Sequence, residues 1–406
     1  MKRRHEADMR VSGERATPLV QSGMSATGVA RSDDRRANAE TKVLPPGSTI
    51  GILGGGQLGR MTAMAAARLG YRSVVYAPDA HSIAGDVAAA HLRGDYDDAA
   101  ALARFAAQVD VVTYEFENVP EATVAACALH KPVRPGIEPI HFAQHRLREK
   151  DFFRKSGIAT ADYQCVAGED DIAAATALPG ILKTCTEGYD GKGQVRVATR
   201  QELAAAWDKL QRRECILEAL VDFQCEISAI VARGLDGQAR CFPIGLNDHR
   251  DGILRTTTVP ADLPSSVEQQ AMRHGLQLAD RLDLVGLVAL EMFVMPDGRV
   301  LANEMAPRPH NSGHWTIDAC ATSQFEQLVR AICGLPLGAV DILAPARMVN
   351  LIGDEANDWP RYLAEPTARL HLYGKGKARP GRKMGHVTYV TPPSVTGTGA
   401  TPGGKR

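Results

Sequence analysis

From Ser48 onward, short apolar strands alternate with Ala-rich amphipathic segments, and no other feature constrains the fold of this chain as strongly. The strands read Thr49 to Leu53, Ser73 to Tyr76 and Val109 to Tyr114, and the helical patterns read Leu58 to Leu69 and Glu121 to His130. Strands joined through helices run parallel, because each crossover returns the chain to the same end of the sheet. The expectation is a doubly wound α/β domain. Pro132, Pro135, Gly136 and Pro139 end the pattern near residue 140. Beyond them strands dominate from Gly180 to Glu304, with a helix near Val267 to Leu282, and a smaller region runs from Ala346 to Val390.

The 47 basic and 47 acidic side chains cancel, so no global charge draws the chain to nucleic acid or acidic lipid. Any anion it handles must be held by local cations. Apolar runs such as Leu284 to Leu290 fall far short of the roughly 20 residues a membrane helix needs. Nucleic acid and membrane are therefore not expected partners. Cys127, Cys165, Cys185, Cys215, Cys225, Cys241, Cys320 and Cys333 lie scattered with no C-x-x-C pair, which predicts reduced thiols, a cytoplasmic location and no zinc cluster. Residues 1–47 lack apolar periodicity and are expected to be disordered, as is the Pro/Gly/Thr-rich stretch 392–406.

The segment Gly54-Gly55-Gly56-Gln57-Leu58-Gly59 matches G-x-G-x-x-G between a strand and a helix, with Asp79 twenty residues beyond. By itself it is the dinucleotide fingerprint. Glycines that bring helix N-terminal amides close to an anion accept any phosphate, so a phosphate of some kind is expected, with a structural tight turn as the alternative. Downstream, Ile181-Leu182-Lys183 precedes the Gly-rich run Glu187 to Gln194, a pattern suited to a lid over nucleotide phosphates. No G-K-[ST] ends it, so it is not a Walker A loop, and an exposed hairpin turn is the competing reading. The strand-like Leu217 to Val221, followed by Glu226, could present backbone to an adenine edge and a carboxylate to ribose. His249-Arg250-Asp251 copies a kinase triplet without the Asn or D-F-G that chemistry requires.

The Asp297-Gly298 pair predicts a two-residue hairpin turn, which places Glu291 opposite Glu304. Opposed side chains have Cβ atoms about 4.5–5.5 Å apart, where two carboxylates in apolar strands repel unless a cation lies between them. A Mg²⁺ site is the expectation, since hard cations on nucleotide phosphates take one or two carboxylates. Arg308, His310, Asn311 and His314 follow directly and supply anion-binding groups beside that pair.

The segments GGGQLGRM (54–61), YEFENVP (114–120), EGYDGKGQ (187–194), DGILRTT (251–257), NEMAPRPHNSGHWT (303–316) and RPGRKMGHV (379–387) closely resemble the 5-(carboxyamino)imidazole ribonucleotide synthases. These are ATP-grasp enzymes of purine biosynthesis. The resemblance implies an ATP-grasp architecture of mixed α/β and α+β class. It comprises an N-terminal α/β domain (48–143), an ATP-grasp region (144–345) with a small lid near 163–221, and a C-terminal domain (346–391). It implies a homodimer, ATP, Mg²⁺ and bicarbonate, and carboxylation of aminoimidazole ribonucleotide through carboxyphosphate.

Carried over by position, Arg146, Lys183 and Gly188, Tyr189, Asp190, Gly191, Lys192, Gly193 and Gln194 would hold ATP phosphates. Glu218, Ala219, Leu220 and Val221 would meet adenine, Glu226 the ribose, and His249, Asn303 and Glu304 other parts of the nucleotide. Glu291 and Glu304 would bind Mg²⁺. Gln57, Leu58, Tyr189, Asp190 and Asn311 would contact the ribonucleotide, while Arg308, His310, Lys375 and Arg382 would line the bicarbonate and substrate-phosphate region. Asp190, Arg308, His310 and Lys375 are the implied catalytic set.

Two departures from the family pattern stand out. The chain runs into Thr396-Gly397-Thr398-Gly399 where the family adds a strand and helix, so an incomplete C-terminal domain is expected. Ala306 occupies a position where many ATP-grasp enzymes carry a metal-ligating Asn, and Asn303 would face away from Glu304 in a regular hairpin. The rival readings are a formate-using ATP-grasp transformylase, an NAD-dependent dehydrogenase built on the glycine loop, and a non-catalytic ATP-binding scaffold.

Overall fold

The computed structural model describes residues 43–186 and 193–391. Four parallel strands, β1 (Thr49–Leu53), β2 (Arg72–Ala77), β3 (Ala90–Arg93) and β4 (Val111–Tyr114), form a sheet in the order β3-β2-β1-β4. The helix Gln57–Arg68 follows β1 and turns Leu58, Met61, Ala65 and Ala66 inward. Strand β3 has no apolar run and was not legible in the sequence; it is fixed by its register on β2.

A second sheet is antiparallel and contains β5 (Tyr163–Val166), β6 (Gly180–Thr184), β7 (Gln194–Val197) and β8 (Cys215–Ala219), in the order β5-β8-β6-β7. Leu182, Val197, Leu203, Trp207 and Leu217 form its own small core. The third sheet has nine strands among the described residues. They are β9 (Cys225–Arg233), β10 (Ala239–Cys241), β11 (Gly245–Arg250), β12 (Ile253–Val259), β13 (Gly286–Val294), β14 (Val300–Ala306), β15 (Ala346–Ile352), β16 (Ala368–Leu372) and β17 (Lys383–Val390). Their order is β14-β13-β9-β11-β12-β15-β17-β16, with β10 on β9. Strand β15 pairs with β12, so residues 346–391 extend the large sheet and do not form a separate one.

The helix Ser265–Arg281 covers one face of this sheet through Val267, Ala271 and Leu278, and the helix Gln324–Cys333 covers the other through Phe325, Leu328 and Ile332. The latter helix shares its core with Leu58 and Met61, which joins the parallel sheet to the large one. Burial of each such Leu, Ile or Phe contributes about 1.5–3 kcal/mol.

The expectation of disorder through residue 47 is corrected at its end. Leu44 N–H donates to Cys333 C=O at 2.9 Å, and Tyr71 Oη donates to Leu44 C=O at 2.6 Å. Leu44 also packs against the core, so its backbone and side chain are both satisfied by the body of the protein. Among the described residues no helix is long and apolar enough to cross a membrane.

Candidate active site

The hairpin β13–β14 supplies the acid pair. Glu291 and Glu304 are direct Cα partners, as the sequence predicts, but the route differs from the one expected. At Asp251-Gly252 both residues have positive φ (52° and 73°) and Arg250 pairs with Ile253, a true two-residue turn. At the second Asp-Gly only Gly298 has positive φ, at 82°, and Met295 N–H bonds Arg299 C=O at 2.8 Å across three loop residues. The register slips by one, pairing Met292 with Ala302, and a bulge at Asn303 restores it. That bulge corrects the expected orientation of Asn303: it lines the same cleft as Glu304.

The cleft encloses about 460 Å³, within the usual range for a ligand pocket. Of the residues singled out from sequence, Gln57, Leu58, Arg146, Lys183, Gln194, Glu226, His249, Glu291, Asn303, Glu304, Arg308, His310 and Asn311 line it together. Gly193, Glu218, Ala219, Leu220, Val221, Lys375 and Arg382 are not among its lining residues. Gly188, Tyr189, Asp190, Gly191 and Lys192 lie outside the described residues.

Each member of the acid pair already faces a polar partner, an imidazole in one case and a guanidinium in the other. His310 Nε2 is 3.0 Å from Glu291 Oε1, and Arg146 donates to Glu304 Oε2 at 3.3 Å. Burial alone would raise the Glu291 carboxyl, but the hydrogen bond and charge of His310, with His249 and Lys383, hold it well below the usual carboxylate range. His249 bonds Glu226, and although burial opposes its charge, Glu226, Glu291 and Glu304 raise its pKa.

On the lid side Lys183 lies 3.1 Å and Lys150 3.4 Å from Glu218 Oε2. The Glu218 carboxyl is held down at about 2: burial would raise it, and Lys150, Lys183 and Arg146 outweigh burial. Both lysines meet Glu218 Oε2, while its buried Oε1 has no hydrogen-bond partner among the described residues. Burial, together with repulsion from Lys150 and Arg146, lowers the Lys183 pKa. Lys150, Lys183 and Arg146 against the carboxylates of Glu218 and Glu304 leave one positive charge that a phosphate chain would balance.

Sequence reading missed Glu149 and Lys150, neighbours on the helix Arg146–Lys155 that grip the bulged strand on both sides of Glu304. Lys150 Nζ donates to Asn303 C=O at 2.6 Å, and Met305 N–H donates to Glu149 Oε1 at 2.7 Å. Both side chains are 2% exposed, so neither contact can be replaced by water. Lys150→Met is expected to destabilise the protein by about 3 kcal/mol, since it strands a buried carbonyl and weakens a buried pair. Lys155→Met, on the exposed face of the same helix, is the control; equal denaturation midpoints for the two variants would show that the grip carries no weight.

Burial raises the Glu149 carboxyl to about 8, above its ordinary 4.5. The folded protein thus holds a proton the unfolded chain has lost, and stability falls as pH rises from about 4.5 to about 8, by up to ~1.4 kcal/mol per unit. Glu149→Gln keeps the acceptor for Met305 N–H and removes that loss. Melting temperatures from pH 6 to 8 should decline less steeply in the variant; parallel declines would refute the assignment.

The glycine loop is built differently from a dinucleotide cradle. Glu115, just past β4, accepts the N–H groups of Gly56 and, at 2.7 Å, Gly59. A Cβ at Gly54 would lie 2.4 Å from Glu115 Cγ, so that glycine makes room for a carboxylate of this chain. The expected phosphate at these amides is thereby corrected: an internal anion satisfies the helix N-terminus. Burial raises the Glu115 pKa, partly offset by those amides, Lys375 and Arg308. Gln57 and Leu58 still reach the cleft.

Beside the loop, Arg308 Nε donates to Glu117 and its NH1 to Pro309 C=O at 3.1 Å. Burial opposes the Arg308 charge, and Glu117, Glu304 and Glu291 more than restore it. Glu115 and Glu117 stand alternately in the YEFENVP segment, a signal present in the sequence but not singled out. Lys383, at the start of β17, also lines the cleft and was missed. Arg382 donates to Lys375 C=O at 3.3 Å, which holds the 375–382 loop together near the cleft.

Three domain families match this chain: the ribonucleotide synthetase preATP-grasp domain at residues 48–144, the ATP-grasp domain at 151–325, and the phosphoribosylaminoimidazole carboxylase C-terminal domain at 346–394. The chain is 48% identical over 357 residues to N5-carboxyaminoimidazole ribonucleotide synthase of Brucella melitensis, covering 87% of this chain and 99% of that protein. It is 46% identical over 371 residues to the bifunctional purine synthesis protein purC/E of Dictyostelium discoideum, of which it spans 37%. Among solved structures, an ADP complex of N5-carboxyaminoimidazole ribonucleotide synthetase superposes with a TM-score of 0.83 at 42% identity, covering 86% of this chain and 94% of that one. The Aspergillus clavatus N5-carboxyaminoimidazole synthase, in complex with ADP and 5-aminoimidazole ribonucleotide, gives 0.80 at 31% identity, covering 86% and 94%. Identity of this extent over nearly the full length of both partners goes beyond a shared fold, and the chain belongs to the N5-carboxyaminoimidazole ribonucleotide synthase family of ATP-grasp enzymes.

Proposed function

We propose that the chain uses ATP and bicarbonate to carboxylate 5-aminoimidazole ribonucleotide, forming N5-carboxyaminoimidazole ribonucleotide, ADP and phosphate. The observation that carries this reading is one cleft lined by the Glu291/Glu304 pair, the cations Arg146 and Lys183, and Arg308 with His310. Arg146 and Lys183 hold the ATP phosphates, and Gln194 closes over them from β7. Glu226 and His249 stand at the ribose end, and the backbone of Glu218 to Val221 at the base.

The acid pair fits Mg²⁺, since two opposed carboxylates and the Asn303 amide oxygen are hard donors on one wall of the cleft. When bound, that ion supplies charge compensation to the phosphates. Bicarbonate oxygen attacks the γ-phosphorus and ADP leaves, giving carboxyphosphate. The exocyclic amine then attacks the carboxyl carbon, the C–O bond to the phosphoryl group breaks as phosphate leaves, and one amine proton is released. Arg308 and His310 place the bicarbonate, with Arg308 aimed by Glu117 and His310 by Glu291 and by Ser312 Oγ, 2.8 Å from its Nδ1. Gln57, Leu58, Asn311, Lys375 and Arg382 serve the ribonucleotide, with Tyr189 and Asp190 from the lid loop. A cytoplasmic homodimer is the assembly this reading carries.

Glu115 in the glycine loop argues against the dehydrogenase, because a pyrophosphate would meet a carboxylate where it needs free amides. Phosphate release from ATP, measured with each combination of bicarbonate, formate and aminoimidazole ribonucleotide, is the test. Release that requires the ribonucleotide and bicarbonate supports the proposal. Release driven by formate would replace it with the transformylase, and none with any combination would leave an ATP-binding scaffold.

A further inference from the structure

The described residues hold a second group of metal-capable side chains to which the carboxylation reading gives no role, at the edge of the same cleft, which Cys185 also lines. His145, Cys185 and Glu214 come from three segments distant in sequence, and their donor atoms all lie within 4.8 Å of one another. His145 Nε2 is 2.9 Å from Glu214 Oε2. Backbone bonds tie the segments together: Arg146 N–H donates to Cys185 C=O at 2.9 Å, and Cys185 N–H donates to Glu214 C=O at 3.1 Å. His145 Nδ1 accepts the N–H of Arg148 at 3.5 Å, so without metal the neutral ring carries its proton on Nε2 and donates it to Glu214. Cys185 is buried, whereas Glu214 opens to solvent and gives an ion a way in.

A tetrahedral zinc ion bonds N and O at about 2.0–2.2 Å and S at about 2.3 Å, which spaces its ligands about 3.5 Å apart. Donors already this close need only side-chain rotation, because their backbones are fixed. We infer that His145, Cys185 and Glu214 form a binding site for a thiophilic divalent cation of the zinc class, distinct from the hard-oxygen Glu291/Glu304 pair. Binding breaks the Cys185 S–H bond, forms a sulfur–metal bond and releases that proton to solvent, while the His145 ring proton moves from Nε2 to Nδ1 at the expense of the Arg148 N–H bond and frees Nε2 for the ion; oxidation states are unchanged and water completes the coordination. The sequence shows no such grouping, because the three side chains come together only when the Arg146–Lys155 helix docks against the ends of β6 and β8.

The other histidine-rich group, Asp318, His371 and His386, is unsuited to the same role. The His371 and His386 rings stack 4.5 Å apart at 11°, and an ion must lie in the plane of each imidazole it bonds. Parallel planes share no such point.

The test is cobalt(II) titration of the full chain with Mg²⁺ in excess to fill oxygen-only sites. One equivalent of cobalt should bind with a thiolate-to-metal charge-transfer absorption, which carboxylate ligands cannot produce. Cys185→Ser should abolish the band. His145→Asn, which keeps a side-chain acceptor at the helix start, and Glu214→Gln, at an exposed site, should each weaken cobalt binding about tenfold or more. Absence of the band in the wild-type chain, its persistence in Cys185→Ser, or unchanged affinity in both ligand variants would overturn the inference.

Discussion

Glu304→Gln is expected to lower turnover roughly a thousandfold while leaving the fold intact. Amide replaces carboxylate at equal volume, so the strand geometry survives, but one of the two anionic ligands opposed across β13 and β14 is lost. A thousandfold corresponds to about 4 kcal/mol of transition-state stabilisation, the scale of charge compensation a divalent ion supplies. The sequence alone suggests that the variant's metal-free stability should stay equal or rise, through relief of repulsion between opposed carboxylates. The structure narrows that to the first outcome. Glu304 faces Arg146 and Glu291 faces His310, so the repulsion is already offset. With a Glu304 side chain 44% exposed, the metal-free stability should shift by less than about 1 kcal/mol. Magnesium titrations of turnover, with melting curves in chelator, check both halves. Near-normal activity and magnesium dependence would remove the acid pair from the metal role.

Arg308→Lys should cost about a hundredfold in product formation, with product per ATP hydrolysed falling as well. Guanidinium serves two partners at once, Glu117 through Nε and Pro309 C=O through NH1, and an ammonium cannot reproduce that fork. The cost is of the order found when one positioned donor is removed from a developing charge. Loss of coupling separates placement of bicarbonate from a structural role, since a merely loosened fold lowers both rates together. Glu117→Gln should give part of the same defect, and the double variant should be no worse than Arg308→Lys alone. Additive losses would mean that Glu117 does not aim Arg308.

Periodicity is a property of adjacent residues, so the parallel sheet of the N-terminal domain, the strand-rich centre and the β13–β14 hairpin were legible in the sequence. The family motifs carried the ATP-grasp assignment for the same reason: each is a short run whose residue types and order are read without knowing its neighbours. Even there the agreement at Glu291 and Glu304 rests on two departures that cancel, a three-residue loop and a bulge at Asn303. Neither leaves a periodic trace, because each shifts the register by a single residue.

What the tertiary structure alone decided are contacts between segments far apart in the chain. Glu115 fills the glycine loop because β4 lies beside β1, a consequence of sheet order. Lys150 and Glu149 grip the strand around Glu304 across more than 150 positions, and His145, Cys185 and Glu214 meet across 69. The sequence determines which residues can carry charge, bind metal or turn the backbone. Which of them meet is set by strand order, register and helix docking, since burial rewards apolar area without regard to which polar groups it brings together.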